Sequence, residues 1–363
     1  MAEQIPFTRG VPSSDLLPIA ELRASAATAF ETDAVTALSY TPNGHPGLRA
    51  WIGEPHGVPL EQVICANGSL ELFSFVCAVL LEQASTRRVI VEAPTYDRSL
   101  LLLRRLGAEI VGVPVDGDGM VVDALEEALA DGVPALVYTI PNFQNPSGST
   151  LSDARRRALC ALAVDHGFTI IEDDPYGLLR WAGASRASLF SLAPGHVVTM
   201  SSFTKTVAPG LRVGYAVAAP ALAKAIGAYA TNTYIAPSML AQSTLAAYCA
   251  AGHFEPGVAR ATAALHERCD AMVEAVREHF PATASFVVPE GGYFLWIDLG
   301  EGSDTSALAV RAQEAGVPFV RGSDFYVDGA GTTELRLAFS AVAPAQIRAG
   351  IERLGALTQS LTG

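Results

Sequence analysis

One of the two lysines in the chain lies in a segment whose side chains could do chemistry together. Lys205 occurs in SSFTKTVAPGLR at 201–212, after an apolar run, with several hydroxyl groups and Arg212 close by. A lysine amine can form an imine with an aldehyde, and guanidinium and hydroxyl groups hold a phosphate dianion through charge-assisted hydrogen bonds. This combination describes a site for pyridoxal 5′-phosphate (PLP), although these residues alone also fit a plain phosphate-binding loop. Lys224 lies in a helical pattern, and we interpret it as a solvated surface residue.

Acidic residues follow another apolar run, in IEDDPY at 171–176. A carboxylate beside a pyridine nitrogen keeps that nitrogen protonated and makes the ring a better electron sink, a role that Asp173 could fill. Tyr176 could then hydrogen-bond the ring oxygen. The competing interpretation is that Asp173 or Asp174 caps a turn or a helix.

Two further loops offer polar groups to the same kind of ligand. Asn145, in PNFQNPSG at 141–148, is restricted by the proline that follows it, although a tight loop alone would also explain that sequence. The NGSL segment at 67–70 opens a helical pattern, where exposed amides and the Ser69 hydroxyl could bind an anion. Capping of the helix is the alternative interpretation there.

The elements that must position these residues form an alternating pattern. Apolar runs are separated by helical patterns such as 153–166, which is typical of an α/β sheet buried on both faces. Ligands of such sheets bind beyond the carboxyl ends of the strands, which is where the polar segments lie. From about residue 237 the pattern changes to Ala-rich helices and short strands, which favours a second, smaller α+β domain. The predicted strands of the large sheet are 88–92, 108–113, 135–140, 168–172 and 196–201, and those of the smaller domain are 292–297 and 334–339.

The composition argues against several classes of function. The formal net charge is −13 and the pI is near 5.0, whereas nucleic acids and anionic membranes attract basic surfaces, so neither is expected as a partner. The first residues have no signal-type apolar run and no run of about 18 apolar residues occurs, so we expect a cytoplasmic protein. The five cysteines lack metal-ligand spacing, and we interpret them as reduced core residues and predict no metal site.

Seven ordered segments together resemble the fold-type I PLP enzymes of the class I/II aminotransferase family, closest to its 2-aminoadipate and kynurenine aminotransferase branch. The resemblance implies a large domain at 40–236, with a mostly parallel sheet sandwiched by helices. It also implies a smaller α+β domain formed by 1–39 and 237–363. The segments are YTPNGHPGLR at 40–49, NGS at 67–69, EAPTY at 92–96, PNFQNPSG at 141–148, EDDPY at 172–176, SSFTKTVAPGLR at 201–212 and LRLAFS at 335–340.

The family pattern implies a role for each residue around the cofactor ring. Lys205 would form the Schiff base and then move a proton between the substrate Cα and the cofactor C4′. Asp173 would pair with the pyridine nitrogen. Asn145 and Tyr176 would contact the ring hydroxyl oxygen, and Tyr96 would stack on the ring, although a half-buried packing role would also explain Tyr96.

The family pattern also implies the phosphate site. Ser69, Ser202 and Arg212, with the amides around Gly68, would hold the phosphate. Leu70 stands where this branch often has glutamine, so one side-chain contact is expected to be missing while the backbone amide remains. Weaker cofactor binding would follow.

The family pattern also implies Arg336, Asn145 and Arg9 at the substrate side of the site, and Tyr40 at the cofactor phosphate of a second subunit. Tyr40 matches a tyrosine that reaches the phosphate of the neighbouring subunit, which implies a homodimer with shared active sites; simple packing is the alternative. Arg336 matches the clamp for the substrate α-carboxylate, against the alternative of a strand-edge arginine in an ordinary ion pair. Arg9 replaces the first of two glycines that usually border the side-chain pocket. We hypothesise that Arg9 favours a substrate with a distal carboxylate or other acceptor group, while a surface-exposed Arg9 is the alternative.

The expected reaction is ping-pong transamination between an L-amino acid and a 2-oxo acid, and two rivals stay open. A PLP-dependent lyase, cyclase or oxidase could use the same residues, because they stabilise a shared intermediate without choosing its fate. A regulator with an aminotransferase-like domain behind a DNA-binding helix-turn-helix is opposed by the acidic charge and by the short segment before Tyr40.

Overall fold

The computed structural model describes residues 4–359, so both ends of the predicted small domain, residues 1–3 and 360–363, lie outside the described residues. Strands of the described region fall into a large sheet and a small one. The large sheet contains β1 (Val63–Ala66), β2 (Arg88–Ala93), β3 (Glu109–Asp116), β4 (Gly119–Met120), β5 (Leu136–Thr139), β6 (Thr169–Asp173), β7 (Val197–Ser202) and β8 (Gly214–Val217). The small sheet contains β9 (Phe294–Asp298), β10 (Val320–Arg321) and β11 (Glu334–Ala338).

The large sheet has the order β1-β8-β7-β6-β5-β2-β3-β4. Its centre, β3-β2-β5-β6-β7, pairs in parallel, as the alternating pattern predicts. The pairs β7-β8, β8-β1 and β3-β4 are antiparallel, which the sequence analysis did not anticipate. The predicted α/β fold with a mostly parallel sheet is nevertheless confirmed.

Helices cover both faces of the large sheet. A helix is well specified locally at 153–166, where Ser152 accepts a hydrogen bond from the Arg155 N–H and Gly167 ends the helix at φ 79°. The helices are α1 (Ile19–Thr32), α2 (Ala34–Ala37), α3 (Pro46–Gly53), α4 (Ser69–Gln83), α5 (Asp97–Arg105), α6 (Val122–Leu129), α7 (Asp153–His166), α8 (Leu189–Leu192), α9 (Pro220–Tyr234), α10 (Met239–Ala250), α11 (Phe254–His279), α12 (Thr305–Glu314) and α13 (Pro344–Gln359).

Two hydrophobic cores lie on opposite faces of the large sheet. Successive side chains of a strand point to opposite faces, so Val89 and Val91 of β2 enter one core while Ile90 enters the other. The same alternation sends Ile171 and Ile170 of β6 to different cores. Burial on both faces explains why these strands read as continuous apolar runs. All five cysteines are buried and free, as predicted.

The amino-terminal segment is bound to the small-sheet region of the fold. The Ile5 N–H donates to the Gly316 carbonyl, and the Phe7 carbonyl accepts from the N–H of Ala338, the last residue of β11. These bonds hold residues 8–11 beside the carboxyl ends of the large-sheet strands. Within residues 4–359, no helix is both long and apolar enough to cross a bilayer.

Candidate active site

A cleft of about 600 Å³ lies between the carboxyl ends of β5, β6 and β7, the amino-terminal segment and the small sheet. A cleft of this size at this edge suits a ligand with a phosphate and a ring. Of the predicted site residues, Gly68 and Tyr40 do not border the cleft. The predicted residues that border it are Arg9, Ser69, Leu70, Tyr96, Asn145, Asp173, Tyr176, Ser202, Lys205, Arg212 and Arg336.

Lys205 lies just beyond β7 and projects its amine into this cleft. Its Nζ donates to the Gly10 carbonyl at 2.6 Å, and its own carbonyl accepts from the Tyr293 hydroxyl at 2.8 Å. Burial lowers the pKa of Lys205 to about 8; Arg336 adds to this effect, and Asp173 opposes it. A neutral amine is the form that attacks an aldehyde, so the lowered pKa favours Lys205 as a nucleophile.

This lowered pKa predicts how the rate of cofactor attachment depends on pH. Below pH 8, the rate of reconstitution of the cofactor-free protein with PLP is expected to rise about tenfold per pH unit, and then to level off. The reason is that the fraction of neutral amine rises until the pKa is passed. Stopped-flow absorbance of the imine band measures the rate. A rise that continues to pH 10, as for a lysine with the ordinary pKa of 10.5, would contradict the prediction.

Asp173 ends β6 with one carboxylate oxygen bonded and the other unpaired. Its Oδ2 accepts from the Tyr138 hydroxyl at 2.8 Å, whereas its buried Oδ1 has no hydrogen-bond partner within residues 4–359. Burial raises the pKa of Asp173 to about 6, and the Tyr138 hydrogen bond opposes that rise. A buried carboxylate oxygen without a partner is costly, so this atom fits a cationic donor such as a protonated ring nitrogen.

The turn after β6 is capped by the neighbouring carboxylate. Asp174 Oδ1 accepts from the Gly177 N–H at 2.8 Å, and its Oδ2 accepts from Asn142 Nδ2 at 2.9 Å. The capping interpretation is therefore right for Asp174 and wrong for Asp173, whose side chain makes no such bond within the described residues.

Arg212 and the start of α4 form a concave, donor-rich surface. Gly68 has φ 102° and ψ 156°, which side-chain-bearing residues rarely adopt, and a Cβ there would lie 2.3 Å from Arg212 Nη2. A Cβ on Gly214 would lie 2.3 Å from the Ser69 nitrogen. Among the described residues no side chain caps α4, so its first N–H groups and the Arg212 guanidinium fit a phosphate. The alternative of a capped helix is wrong: Asn67 Oδ1 accepts from the Ser238 N–H instead.

Arg336 lies in β11, the central strand of the small sheet, and reaches the cleft. Its Nη1 donates to Asn145 Oδ1 at 2.7 Å, and its Nη2 donates to the Thr8 carbonyl at 2.8 Å. Its guanidinium carbon lies 4.2 Å from the ring centre of Phe294 and 4.8 Å from that of Phe325. Its buried Nε has no partner, and it forms no ion pair within residues 4–359, so the strand-edge ion-pair alternative is wrong.

Aromatic and hydroxyl side chains complete the walls of the cleft. Tyr176 is buried and packs against the ring of Tyr293 at 5.5 Å between centroids. Tyr96 is half-buried at the start of α5. Ser202 Oγ donates to Thr204 Oγ1 at 2.8 Å, and both hydroxyls border the cleft.

Two predicted residues are at or beyond the edge of the site. Arg9 is exposed and lies at the rim of the cleft. The Tyr40 side chain is 79% exposed and does not border the cleft of its own chain. A single chain therefore brings together the residues predicted to contact the cofactor ring and the substrate carboxylate. Tyr40 lies away from them.

Several residues that shape the site were not predicted from the sequence. Tyr138 lies within a predicted strand and could have been found from alternation, since Leu136, Tyr138 and Ile140 share one face. Gly214 follows Arg212 by two residues, and its need for a small side chain arises from the approach of Ser69, which is 145 positions away in sequence. Phe294, which borders the cleft, and Tyr293, which packs against Tyr176, come from the small-sheet region, and their positions depend on how the chain folds back.

Comparisons with known proteins agree with this geometry. The family model for aminotransferase class I and II matches residues 2–354. A 2-aminoadipate transaminase from Thermus thermophilus is 34% identical, with 98% of this chain and 90% of that protein covered. The mitochondrial kynurenine/alpha-aminoadipate aminotransferase of Mus musculus is 28% identical, with 90% and 84% covered. A crystal structure of alpha-aminoadipate aminotransferase from Thermus thermophilus, complexed with N-(5′-phosphopyridoxyl)-L-leucine, gives a TM-score of 0.93 at 32% identity, covering 99% of this chain and 93% of that one.

The matches span nearly the whole chain and confirm the resemblance stated from the seven segments. The unpaired Asp173 oxygen, the donor-rich surface at Gly68 and the buried amine of Lys205 all fit PLP. The matches favour transamination over the lyase, cyclase or oxidase alternative. The chain belongs to the aminotransferase class I and II family and is a PLP-dependent enzyme that transfers amino groups between amino acids and 2-oxo acids.

Proposed function

We propose that the cleft holds PLP with its ring nitrogen at Asp173, its phosphate at Arg212 and the start of α4, and its aldehyde carbon at Lys205. The observation that carries this proposal is the unpaired, buried Oδ1 of Asp173 in the same cleft as the Lys205 amine. When bound, PLP would act as an electron sink and carry the amino group from one substrate to the other. Ser69 and Ser202, with the amides of Gly68 and Leu70, would add phosphate contacts.

Lys205 is proposed as the group that moves the proton during the reaction. A pKa of about 8 lets its amine take up and return a proton near neutral pH, which an ordinary lysine does poorly. The Gly10 carbonyl, 2.6 Å away, holds the amine in place while it is free. Tyr176 and Tyr96 would exclude water around it and contact the ring.

Arg336 is proposed to bind the α-carboxylate of both substrates. Its guanidinium is buried among Phe294 and Phe325, where a carboxylate partner would be screened little by water. Asn145 orients the guanidinium through the 2.7 Å bond to Nη1. Since arginine presents a planar fork, a lysine at this position would hold a carboxylate less well.

A homodimer with shared sites is proposed from the surface near Tyr40. Val35, Leu38 and Tyr40 have exposed side chains, and α2, which carries Val35, packs against α10, which carries the exposed Leu240. An apolar surface of this kind suits a second copy of the chain, which would bring Tyr40 to the phosphate of its partner. Light scattering of the holoenzyme is expected to give twice the chain mass of 38.0 kDa; a monomer with full activity would contradict the shared site.

A cytoplasmic location is proposed from the acidic composition.

Arg9 is proposed to favour substrates with a distal carboxylate, as the name of the Thermus 2-aminoadipate relative suggests. Because Arg9 is exposed, its ion pair with a substrate is expected to contribute little. Replacing Arg9 with glycine is expected to lower kcat/KM for L-2-aminoadipate relative to L-leucine by about fivefold. Steady-state kinetics on the two donors measures this ratio, and an unchanged ratio would show that Arg9 does not contribute to donor selection.

The function is tested by adding amino acids singly to the holoenzyme without any 2-oxo acid. Transamination predicts that each accepted donor shifts the cofactor absorbance and that 2-oxoglutarate reverses the shift. The size and rate of the shift rank the donors. Ammonia release or oxygen uptake in place of a reversible shift would contradict transamination.

A further inference from the structure

A buried carboxylate that does not border the cleft organises the loop beside it. Glu92, at the end of β2, is 1% exposed. Its Oε1 accepts from the Thr139 hydroxyl at 2.6 Å, and its Oε2 accepts from the Ile140 N–H at 3.1 Å and from Gln144 Nε2 at 3.0 Å. All three donors lie at the end of β5 or in the loop that leads to Asn145.

The hydrogen bonds of Gln144 also fix the position of the next residue in the loop, Asn145. Its Nε2 also donates to the Pro94 carbonyl at 2.7 Å, and its Oε1 accepts from the Ser147 N–H at 2.8 Å. Its backbone N–H and carbonyl bond to Ser149 and Gly148. The buried Gln144 side chain therefore fixes the loop on both sides of Asn145.

We propose that Glu92 is a positioning residue for substrate binding, which acts through Gln144 on Asn145 and through Asn145 on the Arg336 guanidinium. The contacts form a continuous series, because Asn145 Oδ1 accepts from Arg336 Nη1 at 2.7 Å. The ionised form suits this position because it presents only acceptors to three donors. Burial raises the pKa of Glu92 to about 7, and the bonds from Thr139, Gln144 and Ile140 oppose that rise. A small displacement of a binding group strongly weakens the binding that it provides. Loss of Glu92 is therefore expected to weaken carboxylate binding by Arg336, although the two side chains do not touch.

This inference rests on the proposed function of Arg336 as the carboxylate clamp. Two substitutions test it in the holoenzyme. Glu92→Leu removes all acceptors at similar volume, and Glu92→Gln, which keeps one neutral acceptor oxygen and replaces the other with an NH2 donor, serves if the leucine variant does not fold. The donor is L-2-aminoadipate, or the fastest donor of the wild type. The expected result is a KM for the donor raised roughly tenfold in Glu92→Leu and less in Glu92→Gln, with the limiting rate little changed.

A matched control separates positioning from general destabilisation. Glu172 is equally buried at the end of β6, and it accepts from the Leu189 and Phe190 N–H groups, away from the Asn145 loop. Glu172→Gln is expected to lower thermal stability while leaving the KM for the donor close to that of the wild type. A KM raised as much as in Glu92→Gln would overturn the inference.

A second experiment introduces Glu92→Gln into an Asn145→Ala background. If Glu92 acts through Asn145, Glu92→Gln has no further effect on KM in that background. The same fold-change in both backgrounds, or a wild-type KM in both Glu92 variants, would overturn the inference. Failure of the proposed function would instead appear in the unmutated enzyme, as an absence of any donor-dependent absorbance change.

Discussion

Replacing Lys205 with arginine is expected to lower the rate of transamination by about 10⁴-fold or more, the largest effect of any single substitution in the chain. A guanidinium keeps the positive charge but does not lose its proton or form an imine at neutral pH. The variant can still bind PLP through Arg212 and Asp173, so its absorbance should be that of a free aldehyde. Single-turnover kinetics with the best donor measures the loss.

Lys224 provides the matched control, since it is the only other lysine in the chain and is exposed on α9. Lys224→Arg is expected to leave both the imine absorbance and the rate unchanged. A Lys205→Arg variant that retained the imine band, or lost the rate by less than about tenfold, would contradict the role of Lys205 as nucleophile and proton carrier.

Replacing Asp173 with asparagine is expected to lower the rate by about 10²- to 10³-fold, the cost of leaving a buried cation without its carboxylate. The amide keeps the size of the side chain and can still accept from Tyr138, so the cleft should keep its shape. What is lost is the charge that keeps the ring nitrogen protonated. Stopped-flow absorbance of the donor half-reaction measures the effect.

Two comparisons test whether the loss of rate is specific to the charge of Asp173. Asp174→Asn alters the neighbouring carboxylate, which bonds Gly177 and Asn142, and is expected to reduce stability while leaving the rate close to that of the wild type. A cofactor analogue methylated at the ring nitrogen carries a permanent positive charge, so it should restore part of the rate to Asp173→Asn. Equal losses in the two asparagine variants would contradict the proposed ion pair.

Features specified by local sequence could be predicted in advance. The central parallel strands are continuous apolar runs because both faces are buried, and their positions agree with the predictions to within a few residues. The positions of Lys205, Asp173 and Arg336 in the cleft also follow, because each lies in a segment typical of the family and near the end of a strand or on one.

Features that depend on distant approach could not be predicted from single segments. β8 consists of four residues, GYAV, and its antiparallel pairing with β1 joins segments about 150 positions apart. The unpaired Asp173 oxygen depends on where Tyr138 places its hydroxyl, and Gly214 is needed only because Ser69 lies against it. The proposed role of Tyr40 depends on a second chain, which the sequence of one copy does not position.

Borohydride trapping shows whether Lys205 carries PLP and releases it to the substrate. The holoenzyme is reduced with borohydride, digested, and its peptides weighed by mass spectrometry, once alone and once after incubation with the best donor. We expect the phosphopyridoxyl mass on Lys205 in the resting enzyme and none on Lys224, and we expect the label to leave Lys205 when the donor is added. Label on Lys224, or label that stays on Lys205 in the presence of donor, would contradict it.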